Sequence, residues 1–174
     1  MYLLSIYFDT KTEKHIQGFI SQVSKRTGNT YMLDGNVPPH ITVAAFDTEN
    51  IADVLADLYP LMNSLVQGRI TWASVAAFLP SVIYFAPVLN RYLQELSETV
   101  NGKLAEMPGV QLRLNYQPFN WMPHTTIGKK LTQDQMQIAF ETMQKSFGMF
   151  EGTVNRIGLA KTNPYTDIKV WELK

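Results

Sequence analysis

Two stretches of this chain nearly repeat each other at a fixed distance. Pro39-His40-Ile41-Thr42-Val43 and Pro123-His124-Thr125-Thr126-Ile127 share proline, histidine, threonine and a closing aliphatic residue, and their histidines lie 84 residues apart. Helices predicted to begin near Thr48 and Thr132 keep that offset, as do Gly68-Arg69-Ile70 and Gly152-Thr153-Val154, which open predicted strands. Three landmarks at one spacing point to an internal duplication, because self-similarity at a fixed period marks repeated architecture. The repeated unit reads helix–strand–helix–strand–strand. Two such units related by a pseudo-two-fold axis would turn both motif strands toward one central cleft.

The element pattern fills in that frame. Tyr2 to Phe8 reads as a buried first strand. Thr10-x-x-Glu13 forms a capping box, and Ile16, Phe19, Ile20 and Val23 follow at helical spacing. A loop from Asn29 to Pro39 leads into a strand over His40–Phe46. Asp47 or Thr48 is expected to cap the next helix, which Pro60 should kink or split. Strands near Ile70–Phe78 and Val82–Phe85 follow, and Pro87 opens another helix. A loop from Met107 to Met122 holds a short strand at Val110–Leu114. Thr132-x-x-Gln135 is a second capping box, and two strands near Thr153–Ala160 and Ile168–Leu173 close the chain. The expected fold is α+β and bilobal, with two mostly antiparallel sheets flanked by helices around a central cleft. Residues 1–174 would form one bilobal domain, with pseudo-repeats at about 10–86 and 88–174.

Composition narrows the partners. Fifteen basic and fifteen acidic residues leave zero formal charge, whereas a protein gripping long nucleic acid through many phosphates usually carries a basic surface. A polyanionic partner is therefore expected to be a small nucleotide or an RNA end. With no cysteine, disulfides, thiolate catalysis and cysteine-based zinc sites are excluded. His15, His40 and His124 show no metal-ligand spacing, so neither metal nor cofactor is expected. Ile70 to Asn90 contains no charged residue and is nominally long enough to span a bilayer, but Pro80 and Pro87 interrupt it. Two buried strands explain it better, and a soluble, cytoplasmic, monomeric protein is expected.

The chemistry lies in the motifs. Residues i and i+2 of a strand share a face, so each motif would present an imidazole beside a hydroxyl. Two such couples meeting across a cleft suit acid–base chemistry on a phosphate. Paired His-x-Thr-hydrophobic motifs on strands of a duplicated α/β fold resemble the 2H phosphoesterase superfamily, which includes bacterial 2′-5′ RNA ligases and cyclic nucleotide phosphodiesterases. The resemblance covers the chain in element order and rests at residue level on His40, Thr42, His124 and Thr126. It implies a metal-independent enzyme that hydrolyses, or reversibly forms, 2′,3′-cyclic or 2′-5′ phosphodiester bonds in RNA or small nucleotides. His40 and His124 would then be the catalytic acid and base, in either order, and Thr42 and Thr126 would bind the phosphate. The alternative is a binding module that holds a nucleotide or RNA end without turnover.

Many relatives carry an arginine shortly after the second motif, where this chain has Gly128-Lys129-Lys130. Lysine supplies charge without the bidentate fork, and counting i, i+2 from Thr126 favours Lys130 over Lys129 as the cleft-facing cation; both stay candidates. Phe46, Phe119 and Trp121 flank the motifs and could stack a base, although core packing suits each better. Tyr31 and Tyr165 lie in predicted loops and are candidates for lining the cleft. His15, with no motif around it, reads as a structural residue. Asp9 and Glu49 read as helix caps or first-turn charges.

Overall fold

The computed structural model describes residues 1–174. In chain order the elements are β1 (Tyr2–Phe8), α1 (Thr10–Thr27), α2 (Tyr31–Asp34), β2 (Ile41–Asp47), α3 (Ile51–Met62), β3 (Gly68–Phe78) and β4 (Val82–Pro87). They continue with α4 (Arg91–Ala105), β5 (Gln111–Leu112), a 3₁₀ turn (Leu114–Tyr116), β6 (Thr125–Gly128), α5 (Gln133–Ser146), β7 (Phe150–Lys161) and β8 (Thr166–Glu172). The fold is α+β, an antiparallel sheet flanked by helices, as expected. No helix is long and apolar enough to cross a membrane. The uncharged run Ile70–Asn90 is the β3–β4 hairpin and the segment leading to α4.

The strands run in the order β5-β2-β1-β7-β3-β4-β6, with β8 also paired to β7. β7 organises this arrangement. From Val154 to Lys161 it pairs with β1, and β8 takes its other edge from Arg156 to Lys161. From Phe150 to Val154 it pairs instead with β3. The two expected sheets are thus two halves of one hydrogen-bonded surface that changes partners at Val154. The halves also meet where Gln67 N donates to Lys174 O and Lys174 N donates to Leu65 O. The buried hydrophobic side chains form one cluster running from Leu4 to Leu173, so packing joins the halves as well. The runs α1-β2-α3-β3-β4 and α4-β6-α5-β7-β8 share element types in the same order once α2 is set aside from the first and β5 and the 3₁₀ turn from the second.

Local chemistry moved some boundaries. Asp9, not Thr10, caps α1, its carboxylate accepting from the backbone N–H of Lys11 and Thr12. A carboxylate satisfies two of the orphan donors at a helix start, whereas a hydroxyl at position 10 already lies inside the helix. Asn50 caps α3 in place of Asp47 or Thr48 and leaves Glu49 outside the helix; Asp47 instead ends β2 and holds the N-terminal ammonium at 3.0 Å. Pro60 does not split α3, because it falls in the last turn and the helix stops two residues later. Pro87 closes β4, and Asn90 starts α4 by accepting from Leu93 N. The capping box Thr132–Gln135 forms as read from the sequence.

Candidate active site

Each motif histidine is held in the same way. Proline fixes its own φ and pushes the residue before it into an extended conformation. Pro39 and Pro123 thereby aim the carbonyls of Pro38 and Met122 at the ring two residues on. His40 Nδ1 lies 2.8 Å from Pro38 O, and His124 Nδ1 lies 2.9 Å from Met122 O. A carbonyl can only accept, so Nδ1 carries the proton in both rings and Nε2 keeps a free lone pair when the ring is neutral.

The threonines follow the strand alternation. In β6, Thr125 and Ile127 point into the core, where Thr125 Oγ1 accepts from the Trp72 indole N–H at 3.0 Å. Thr126 therefore takes the other face, paired with Tyr84 of β4. His124 shares that face, its ring 5.4 Å from Tyr84 and 4.8 Å, edge-on, from Phe78. Thr42 in β2 is 6% exposed, and its hydroxyl lies 3.1 Å from the Ser5 hydroxyl of β1. The His40 ring stands 6.3 Å from the Tyr7 ring, two residues along β1.

β2 and β6 have four strands between them in the order, yet the segment that enters β6 returns to β2. Trp121, three residues before His124, donates its indole N–H to the Thr42 carbonyl at 2.9 Å. His40 lies within electrostatic reach of His124. Burial holds His40 below the ordinary imidazole range; the Pro38 carbonyl pulls it up, the charges of His124 and Lys129 push it further down, and Asp167 pulls it up. Burial also lowers His124, opposed by the Met122 carbonyl and reinforced by Lys129. Desolvation and cationic neighbours both disfavour a charged imidazole.

Lys129 is thus the cation felt by both rings. The strand count that favoured Lys130 fails because β6 ends at Gly128 and Lys130 adopts φ +57°. Alternation holds only while the backbone stays extended. Lys130 turns away, its ammonium 4.4 Å from the centre of the Tyr31 ring, a cation–π contact. That contact occupies Tyr31, which begins the short helix α2 in what reads as a loop. Phe46 is 0% exposed and stacks on Tyr2 at 5.7 Å, so it is core and cannot take a base. Trp121 is buried too. Phe119, for which core packing is the better reading from sequence, is instead 88% exposed at φ +68°.

Several neighbours of the motifs are not legible from the sequence. Tyr7 bonds Tyr165, hydroxyl to hydroxyl, at 2.7 Å, and Tyr165 donates to Asp167 Oδ1 at 2.8 Å. Burial, then the bonds to Tyr7 and Asp167, push the Tyr165 hydroxyl up, so it stays protonated and donating. A sequence signal exists for Ser5 and Tyr7, polar-tipped residues at alternate positions of an otherwise mostly apolar strand. Tyr165 reads as a loop candidate, but nothing marks its partners. Arg156 lies 5.8 Å from the Tyr7 ring, yet its guanidinium is committed to Glu13 at 2.7 Å and the Phe8 carbonyl at 2.9 Å.

Comparison with known proteins adds a family context. A family profile described as the 2′-5′ RNA ligase superfamily matches residues 12–165. A protein of Geobacillus kaustophilus (strain HTA426) bearing the name "Putative phosphoesterase" is 28% identical over 152 residues, covering 84% of this chain and 81% of its own. Among solved structures, E. coli LigT complexed with 3′-AMP superposes with a TM-score of 0.63 at 15% identity, covering 99% of this chain and 97% of LigT. TT0787 of Thermus thermophilus gives 0.58 at 14% identity, with coverage of 99% and 97%. At those identities the structural matches show a common fold.

Proposed function

The chain belongs to the 2′-5′ RNA ligase superfamily, the group read above as 2H phosphoesterases, and on that premise we propose that it is a metal-independent phosphoesterase. Its substrates are 2′,3′-cyclic or 2′-5′ phosphodiesters at an RNA terminus or in a small nucleotide, in the cytoplasm. His40 and His124 are the acid–base pair, and Thr42 and Thr126 hold the phosphate. The observation that carries this reading is the matched tethering of two imidazoles, each fixed at Nδ1 by the carbonyl two residues before it.

In the hydrolytic direction, neutral Nε2 of one histidine takes a proton from water. The oxygen of that water attacks phosphorus in line with the leaving 2′ or 3′ oxygen. The other histidine, protonated at Nε2, gives its proton to that oxygen as the P–O bond breaks, leaving a phosphomonoester. The threonine hydroxyls and Lys129 meet charge growing on the non-bridging oxygens. Run in reverse, the same groups join a hydroxyl to a phosphate. A nucleotide substrate is supported by LigT, a relative in fold, having been crystallised with 3′-AMP and with ATP.

Incubation with 2′,3′-cyclic AMP in EDTA should yield a phosphomonoester. His40→Ala and His124→Ala should each slow turnover by about 10²–10⁴-fold, with cooperative thermal unfolding retained. Binding without turnover in the wild type would instead identify a nucleotide-binding module.

A further inference from the structure

Beside His124 lies a pocket of about 390 Å³ lined by Phe78, Asn115, Tyr116, Asn120, Met122 and His124. Its volume falls within the range of small-molecule sites. Its walls come from the end of β3 and from the segment between β5 and β6. Phe78 stacks on Tyr84 at 4.3 Å and meets the His124 ring edge-on, which fixes its plane. Met122 joins pocket and histidine, since its carbonyl holds His124 Nδ1 and its sulfur accepts from the Tyr84 hydroxyl at 3.1 Å. Asn115 and Asn120 are solvent-exposed.

We propose that this pocket is a nucleobase subsite, so that the base of the substrate lies on the His124 side of the phosphate and is recognised by Asn115 and Asn120. The inference rests on the phosphodiester reading of the His40–His124 cleft and specifies the group attached to its sugar. The lining chemistry selects the occupant. No lysine, arginine or carboxylate lines the pocket, and its one imidazole, His124, is already assigned to the reacting phosphate, so a second phosphate or an ammonium group would find no counter-charge of its own there. A purely apolar group would strip water from two carboxamides without replacing their hydrogen bonds, an unfavourable exchange. A heteroaromatic base satisfies both demands. It has π-faces for Phe78 and Tyr116 and an edge of donors and acceptors, which an asparagine carboxamide can match in pairs. His124 forms part of the pocket wall, so the ribose would span the short distance between base and phosphate. Phe119, which precedes the lining residue Asn120 in the chain, is exposed and in a left-handed backbone conformation. A bulky residue in that conformation is a strained outlier of the kind that gathers at ligand clamps.

Calorimetric titration compares adenosine 2′-monophosphate with methyl β-ribofuranoside 2-phosphate, which carries a methoxy group in place of the base. The wild type should bind the nucleotide at least tenfold more tightly. In the double variant Asn115→Ala/Asn120→Ala that preference should shrink to within about twofold, with the Kd of the base-free ligand unchanged. Because both positions are on the surface, unaltered binding of the base-free ligand also reports an intact fold. Equal affinity for the two ligands in the wild type, or a variant weakened equally for both, would overturn the subsite. A base preference removed by the variant, in a protein that leaves cyclic phosphates intact, would sustain the subsite and refute the phosphodiesterase reading.

Discussion

An imidazole fixed at one nitrogen has one nitrogen left for chemistry, and in this protein both motif histidines are in that condition. Their surroundings also set the pH at which they work. Burial and Lys129 lower both rings, so the neutral forms prevail at neutral pH and protonating one of the two requires acid. The profile of kcat/KM, which reports the free enzyme, should therefore be a bell centred below about pH 6.5, the ordinary imidazole value, with two apparent values that belong to the pair. Removing the shared cation favours the imidazolium, so Lys129→Met should move the bell toward higher pH. It should also raise KM about tenfold, the effect of losing one charged contact to phosphate. A wild-type bell centred on the alkaline side of neutrality, or one indifferent to Lys129, would contradict this arrangement. At this scale the motif residues were legible because they are local, each histidine taking its tether from a carbonyl two residues away. Phe46 and Phe119 were not separable, because an aromatic beside a motif carries no mark of the tertiary environment that buries one and exposes the other.

Among the elements, β1 brings Ser5 and Tyr7 to the motif of β2, and β7 must leave room for them. Gly158 of β7 pairs with Ser5, and a Cβ there would lie 2.7 Å from Tyr7 Cε2, 3.3 Å from Val170 and 3.4 Å from the Lys169 carbonyl. Gly158→Ala should thus displace the Tyr7 ring from His40 and from Tyr165. Overpacking of this kind typically costs about 1–3 kcal/mol, a fall in Tm of roughly 2–12 °C for a chain of this size, and kcat/KM should fall with it. Gly102 in α4 has nothing within 4 Å of its would-be Cβ, so Gly102→Ala should stabilise by about 0.5–1 kcal/mol. Calorimetric melting of the pair checks the contrast, and equal effects would refute it. Element types and order were readable because apolar periodicity is a property of neighbouring residues. Boundaries slipped by a few residues where a better acceptor lay nearby, as Asp9 did before Thr10, or where one left-handed residue ended a strand face, as at Lys130.

For the whole molecule, what matters is that the segment entering β6, at one end of the strand order, returns to β2, with four strands between them. Trp121 makes that closure visible, its indole N–H reaching the Thr42 carbonyl in a buried hydrogen bond. Trp121→Phe keeps the aromatic bulk and removes the donor, which should cost about 1–3 kcal/mol for an unpaired buried carbonyl. The urea midpoint should drop, and kcat/KM should fall more than tenfold as the motifs lose register. Full activity in a destabilised variant would show that other contacts align the histidines. The sequence implied convergence through the repeated spacing, but not its means, because a single tryptophan–carbonyl contact across 79 residues leaves no local pattern. β7 has the furthest-reaching effect. A strand that belongs to both halves acts as a fixed calliper frame. The jaws cannot swing without tearing the ladder at Val154, so the gap between the two motifs is gauged during folding, and under the proposed function a phosphorus atom would meet a site of fixed width.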